Sequence, residues 1–410
     1  MHKIESLINT LCPNGVEYKP IGEIFEIRNG YTPSKANPDF WENGTIPWFR
    51  MEDIRENGRI LEDSIRHITE KAIKGKGLFK ANSIILSTTA TIGEHALILK
   101  DSLANQQLSN FSIIEKFADR LLPKFVFYYF FKIKEWCLNN VNASSFPSVD
   151  MAQLRKVSFP IPPIEVQKEI IIILNAFKEL TAELTAELTA RKKQYEYYRH
   201  TLLDFDGKNG KVEFKTLGEI GVFTRGVGLS KSDFTESGVG CIHYGEIHTH
   251  YQTQVTRVKS FVSPELAKKL KKAKYGNLII AGVSENLEDI CKAVAYLGKE
   301  EICISGDSFV YSHEQNPKFI SYLFQTHQFL NFKRKYSYGT KVIRLNIENL
   351  KSFKIPIPPL EVQEKIVKIL DKFESLTHDL QEGLPAEIQA RAKQYEYYRN
   401  QLLTFKKLES

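Results

Sequence analysis

A chain of 410 residues is too long for one ordinary core and asks for two or three domains, each large enough to bury a sound interior. Its 42% hydrophobic and 26% charged content belongs to a soluble globular protein, and no run approaches the roughly 18 apolar residues of a membrane span. The start, Met1–Leu7, alternates charged and apolar residues unlike a signal peptide. The five scattered cysteines form no Cys-x-x-Cys pair, so no membrane and a reducing cytoplasm are expected. The net charge of +7 favours an anionic partner and is uneven: residues 1–159 hold 20 basic and 18 acidic side chains, residues 206–355 hold 22 and 15, and the remainder 14 and 16.

In chain order, a short helix over Ile4–Leu11 opens a first mixed α/β domain at Met1–Phe159. A first helical segment follows at Pro160–Phe205. Its opening, Pro160-Ile161-Pro162-Pro163-Ile164-Glu165-Val166-Gln167, recurs as Pro356-Ile357-Pro358-Pro359-Leu360-Glu361-Val362-Gln363, and Gln194-Tyr195-Glu196-Tyr197-Tyr198-Arg199 recurs as Gln394-Tyr395-Glu396-Tyr397-Tyr398-Arg399. The same offset faintly matches Ile21-Gly22-Glu23-Ile24 with Leu217-Gly218-Glu219-Ile220, and Gly30 with Gly226. The chain is therefore written twice, two divergent domains alternating with two near-identical segments.

In the first segment Leu174, Phe177, Leu180, Leu184, Leu188, Tyr195, Tyr198 and Leu202 keep helical spacing on one face. Pro-x-Pro-Pro predicts that each helix begins at or just after Pro163 and Pro359. So narrow a stripe wants another helix against it, and a two-fold-like duplication predicts an antiparallel coiled coil of the two copies. Thr181-Ala182-Glu183-Leu184 repeats as Thr185-Ala186-Glu187-Leu188; each unit lengthens a helix by about 6 Å, close to two base-pair steps at roughly 3.4 Å each. A second domain at Asp206–Ile355 precedes the distal segment, residues 356–410, where Gly383-Leu384-Pro385 should interrupt the helix with the extra residues bulging out. Ile4–Leu11 corresponds roughly to the end of a helix copy, as Thr201–Phe205 does before the second domain, which predicts a circular pseudo-symmetry.

These features resemble the specificity subunits of Type I restriction-modification systems, across essentially the whole chain. The resemblance rests on the duplicated Pro-Ile-Pro-Pro-(Ile/Leu)-Glu-Val-Gln, the Thr-Ala-Glu-Leu repeat from Thr181, and the Tyr-x-Tyr-Tyr-Arg segments within Lys192–Arg199 and Ala392–Arg399. Ala392, where the first copy is basic, and Gly383-Leu384-Pro385 depart from the family pattern. The resemblance implies that each domain reads one half of an interrupted asymmetric site in double-stranded DNA. It implies that the helices set the unread spacer, with Thr181, Leu184, Thr185 and Leu188 as ruler residues, and dock two methyltransferase subunits, through which motor-nuclease subunits join. S-adenosylmethionine, ATP and magnesium would then belong to the partners and none to this chain.

A methyltransferase of its own would need an Asn-Pro-Pro-Phe/Tyr-like loop. Asn37-Pro38-Asp39-Phe40 and Asn316-Pro317-Lys318-Phe319 lack the second proline and read as turns. Nothing matches a Walker phosphate loop, and Cys241, His243, His248 and His250 fit no common zinc spacing. No catalytic centre and no metal are expected. For DNA contact the first domain offers Lys35, Arg50, Lys74, Lys76, Thr88 and Thr89, and the second Arg225, Lys231, Tyr244, the lysine-rich helix Lys268–Lys274 (Lys268, Lys269, Lys271, Lys272), Lys333-Arg334-Lys335, Lys341 and Arg344, residue types that anchor phosphate or bond base edges. Tyr195, Tyr197, Tyr198, Tyr395, Tyr397 and Tyr398 put aromatics on more than one helix face, one to pack and another for a protein partner. A non-catalytic adaptor joining two protein-binding domains through a coiled coil remains the alternative.

Overall fold

The computed structural model describes residues 2–142, 147–205, 212–378 and 383–408, with side chains from Ser6 onward. The fold is mixed α/β, two globular domains linked by long helices. The chain divides into two compact units, Met1–Leu184 with Ile388–Ser410, and Thr185–Glu387.

In the first unit a five-stranded sheet runs in the order Phe25–Asn29, Leu108–Ile113, Ser83–Ser87, His95–Ile98, Ile60–Leu61. Beside it lies a three-stranded sheet of His67–Ile68, Ile46–Phe49 and Leu103–Ala104, the last pair parallel. The second unit repeats the five-strand order with Gly221–Arg225, Ser308–His313, Leu278–Ala281, Ala293–Tyr296 and Gln254–Val255, and again pairs Val239–Ile242 with Ile302–Ile304 in parallel. Both units close with the same two-strand pairing, Glu17 opposite Ile161 and Glu213 opposite Ile357. The internal repeat is thus a repeat of complete folding units, even where sequence identity is faint.

The first helical segment is one helix, Ile164–Leu203, of 40 residues. It begins directly after Pro163, where a missing N–H costs nothing. The repeated motif owes its glutamine to the helix start. Gln167 is fully buried, accepts the Leu122 N–H at 2.8 Å and donates to the carbonyls of Arg120 and Pro162, each at 2.7 Å. Gln363 is equally buried, accepts the Asn316 N–H at 3.0 Å and donates to the Pro358 carbonyl and Gln315 Oε1, each at 2.8 Å. Each glutamine satisfies an N–H just before the domain's own helix and a carbonyl of the proline segment.

The predicted apolar stripe is real but shared between two tasks. In the first unit Val166, Ile170 and Leu174 are buried in the domain core, and Phe177 stacks on Tyr398 with centroids 5.3 Å apart. In the second, Ile366, Val367 and Leu370 enter the core, and Phe373 stacks on Tyr198 at 5.2 Å and Tyr195 at 6.4 Å. The early part of the first helix thus meets the late distal segment and its late part meets the early distal segment, the order of an antiparallel, coiled-coil-like pair. The distal helix does break, into Leu360–His378 and Leu384–Leu402. Leu384 and Pro385 occupy the first two positions of the new helix, where proline is tolerated, and the Glu387 N–H bonds the Gly383 carbonyl at 3.2 Å. The expected bulge falls on residues 379–382, outside the described ones.

The expectation for the chain start also holds. Leu7 and Ile8 of the helix His2–Leu11 pack on the core cluster that contains Leu402, Leu403 and Phe405, and Val16 forms a β-bridge with Lys407. Phe405 approaches Phe125 at 6.3 Å in the first unit, as Phe205 approaches Phe319 at 6.5 Å in the second. The end of the chain therefore stands to the first domain as the end of the first helix stands to the second domain.

One expected element is corrected. Lys268–Lys274 is not a helix: the helix is only Pro264–Ala267, started by Ser263 and the proline. The chain then turns so that Leu270 and Ala273 are buried and Lys272–Ala273 pairs as an edge strand with Ile302–Ile304. Burying residues 267, 270 and 273 took precedence over helical charge spacing. The lysines Lys268, Lys269, Lys271 and Lys272 remain exposed on this turn and edge.

Candidate nucleic-acid interface

The two parallel strand pairs end at corresponding places, where Arg50 follows one strand and His243 the other. In the first unit Ile46–Phe49 leads through Arg50 into the helix Met51–Asn57. The Arg50 N–H bonds Asp53 Oδ2 at 2.7 Å, and the other oxygen of this buried carboxylate accepts the Ile65 N–H at 2.6 Å. The guanidinium of Arg50 lies 5.8 Å from the Trp48 ring and pairs with Glu52 at 2.7 Å. In the second unit His243 takes the place of Arg50: its N–H bonds the buried Glu246 at 2.9 Å, and its Nδ1 accepts the Gly245 N–H at 3.2 Å, starting the helix Tyr244–Thr249. Burial and then the neighbouring Lys231 hold the His243 imidazole below its ordinary pKa, consistent with a neutral ring whose Nδ1 is an acceptor.

The other candidates of the first unit lie on separate loops and beyond a strand end. Tyr31 donates to the Ala72 carbonyl at 2.9 Å and accepts the Lys74 N–H at 2.8 Å, which brings the Lys74–Gly77 loop to the Tyr31–Thr32 segment. Gly75 and Gly77 have φ of +61° and +78°, a backbone conformation suited to glycine. Lys35, Lys74 and Lys76 are exposed, Lys76 pairing with Glu26 at 3.0 Å. Thr88 is buried and its N–H bonds the Gln107 carbonyl at 3.0 Å, while the half-buried Thr89 forms a β-bridge with Ser148. The two threonines thus shape the surface more through their backbone than through free hydroxyls.

In the second unit Arg225 and Asp307 are common to two recesses of about 370 and 360 Å³, Tyr338 and Arg344 lining one and His243 and Tyr244 the other. Tyr338 is 57% exposed on a β-hairpin whose turn carries the exposed Lys341. Lys231 completes the group beside His243. Lys333 does not join it. This side chain is buried, with Nζ donating to the Glu288 carbonyl at 2.6 Å. Cys241 lies in the core, His248 contacts the Val283 carbonyl at 3.1 Å, and among the described residues no three metal-ligating side chains form a group. Asn37 and Asn316 each start a helical turn with proline next in sequence.

Sequence reasoning missed the turn that follows the second parallel strand, Asn105-Gln106-Gln107 in the first unit and Ser305-Gly306-Asp307 in the second. Its signal was a run of amides between two apolar strands. At this point the two copies correspond at an offset of 200 instead of 196, so a search at fixed offset passes over it.

The tyrosine-rich ends divide as their helical positions require. Tyr195 is buried and Tyr395 largely so, Tyr198 and Tyr398 stack on Phe373 and Phe177, and Tyr197 and Tyr397 stay 65% and 59% exposed.

A model of the Type I restriction modification DNA specificity domain matches residues 13–191 and again 209–390. The chain belongs to this family. It is similar to the EcoprrI specificity subunit of Escherichia coli, with 38% identity over 90% of either chain, and to a putative type I specificity subunit of Haemophilus influenzae, with 30% identity over 95% of this chain and 96% of that one. Among solved structures, a chain of a type I restriction-modification system shares the fold with a TM-score of 0.66 at 14% identity, over 95% of this chain and 97% of that one. The protein is thus a sequence-specific DNA-binding specificity subunit without catalysis of its own, and the adaptor alternative gives way. No helix among the described residues is long and apolar enough to cross a membrane.

Proposed function

We propose that the domains at Met1–Phe159 and Asp206–Ile355 each read one half of an asymmetric, interrupted site in duplex DNA, while the helical segments at residues 160–205 and 356–410 fix the spacing between them. The observation that carries this reading is the contrast within each repeat. The anchors Gln167 and Gln363 and the pairs Phe125–Phe405 and Phe319–Phe205 are alike, whereas the exposed side chains at the strand ends differ in chemistry. Like frames bearing unlike readers suit two different half-sites approached in the same way.

The charges contribute unequally to this task. The exposed lysines Lys35, Lys74, Lys76, Lys268, Lys269, Lys271, Lys272 and Lys341 anchor phosphates and give a salt-dependent, sequence-tolerant affinity. Arg50, Arg225, Tyr244 and Arg344 have side chains suited to bonding base edges. Tyr197 and Tyr397, exposed at equivalent positions, suit two copies of a methyltransferase subunit, through which motor-nuclease subunits join. Methylation of a flipped adenine, S-adenosylmethionine, ATP and magnesium then belong to those partners. The complex would work in the cytoplasm, where the DNA is.

The test is co-expression with the cognate methyltransferase subunit and mapping of the host's methylated sites. An interrupted motif should appear, and deleting Thr185–Leu188 should shorten its spacer with both halves unchanged. Altered half-sites at an unchanged spacer would defeat the ruler.

A further inference from the structure

The turn missed by sequence reasoning is held in place identically in both domains. The Asn105 N–H bonds the Phe49 carbonyl at 3.0 Å, and the Ser305 N–H bonds the Ile242 carbonyl at 3.1 Å. The far side is fixed by the Gly30 N–H on the Leu108 carbonyl and the Gly226 N–H on the Ser308 carbonyl, both at 2.9 Å. Each glycine is obligatory, because a Cβ would lie 2.2 Å from the Asn105 carbonyl oxygen at Gly30 and 2.0 Å from that of Ser305 at Gly226. Within this common clamp the side chains share no chemistry: three amides in one domain, and a hydroxyl, a glycine and a carboxylate in the other.

In the first domain two amides satisfy each other. Asn105 Nδ2 donates to Gln107 Oε1 at 3.2 Å, and Asn105 Oδ1 accepts the Gln107 N–H at 3.2 Å. Gln106 is left exposed, and the Thr32 hydroxyl donates to its Oε1 at 2.6 Å. With the hydroxyl as donor, Oε1 keeps a second lone pair and Nε2 both its protons. An oriented amide of this kind presents one acceptor beside one donor, the complement of adenine N6 and N7 in the major groove.

In the second domain Gly306 carries no side chain, and Arg225 rests on the backbone of the turn. Its Nε donates to the Gly306 carbonyl at 3.2 Å, and its Nη2 lies 3.9 Å from Asp307 Oδ1. The guanidinium is thereby braced from behind on the shared wall of the two recesses, with its side chain 71% exposed. A braced guanidinium has the fork that pairs with guanine O6 and N7.

We propose that this turn sets the base reader of each domain: Gln106, on the turn itself and bonded by Thr32, specifies an adenine in the first half-site, and Arg225, held against the turn by Gly306 and Asp307, specifies a guanine in the second. The assignment rests on the reading that each domain recognises one half-site.

The experiment uses the complete chain assembled with its methyltransferase subunits, selecting bound duplexes from a library randomised across both half-sites. In the complex carrying Gln106→Ala, preference at one adenine of the first half-site should fall about ten- to a hundredfold, the loss expected of one bidentate base contact, with the second half-site and the spacer untouched. Arg225→Ala should do the same at one guanine of the second half-site, and Asp307→Asn should weaken that preference less. Gln106→Glu adds a gain-of-function arm, because a carboxylate accepts from cytosine N4 and should move the preference from adenine towards cytosine. A wild-type complex that selects no two-part motif would overturn the half-site reading itself. A wild-type two-part motif that persists unchanged in Gln106→Ala, Gln106→Glu and Arg225→Ala complexes would overturn this inference alone.

Discussion

The joints between each domain and its helix solve one geometric problem with two chemistries. In the first unit the Tyr128 hydroxyl donates to the neutral amide oxygen of Asn175 at 2.7 Å, and Lys178 lies over the Phe127 and Tyr128 rings at 4.6 and 4.9 Å. In the second, the Tyr322 hydroxyl faces two carboxylates, Asp371 at 2.8 Å and Glu374 at 3.0 Å. Asp371 also pairs with Lys318, and Glu374 accepts from Thr253. What the duplication kept is the placement of a phenol against a polar helix position, and the partner's charge was free to change. The buried glutamines and the terminal phenylalanines, by contrast, serve backbone and core in the same way in either unit.

That contrast can be broken most forcefully at the phenylalanines. Phe405→Ala and Phe205→Ala should each destabilise their own unit by about 3–5 kcal/mol, the usual cost of truncating a buried ring. Amide exchange should report the loss in one unit at a time, and a silent Phe405→Ala would deny that the chain end completes the first unit. Gln167→Leu and Gln363→Leu come next. Each leaves buried backbone groups unpaired at about 1–3 kcal/mol per group, so thermal unfolding should fall by similar amounts for both variants. A large asymmetry would mean that the repeated motif is not doing the same task twice.

Smaller and unequal effects should come from the joints. Tyr322→Phe removes hydrogen bonds to charged acceptors, worth about 1.5–3 kcal/mol, whereas Tyr128→Phe loses a neutral one at about 0.5–1.5 kcal/mol. Equal losses in urea unfolding would erase the distinction drawn here. The gentlest probe is pH. Burial lowers His95 in the first unit to about 3 and His313 in the second to about 4. With the unfolded value near 6.5, the unfolded chain binds the extra proton. Each histidine therefore contributes stability that is present above about pH 6.5 and lost as pH falls towards its folded value, at ~1.4 kcal/mol per pH unit. Exchange protection compared at pH 7.5 and 5.5 should decline in both units, and a decline in one alone would break the pairing.

Much of this was legible in the sequence because it rests on residues with few alternatives. Pro163 and Pro359 mark the helix starts, the tyrosine-rich repeat reveals the duplication, and Gly383-Leu384-Pro385 announces the break. What escaped depended on long-range burial. Lys268–Lys274 has helical charge spacing, but the strand Ile302–Ile304 claims Ala273. Lys333 lies in a basic run, yet its ammonium turns inward to a carbonyl. The Asn105–Gln107 turn is set by Gly30, which lies 75 residues before Asn105 in sequence and is brought to it only by the fold.

The central claim is that two independent readers are mounted on like frames, and exchanging one reader tests it most directly. Residues 1–159 would be replaced by the corresponding domain of another specificity subunit, the chimaera co-expressed with the methyltransferase subunit, and the methylated sites mapped. The account predicts a two-part motif in which one half changes while the other half and the spacer are preserved. A motif that changes in both halves, or in neither, would contradict it.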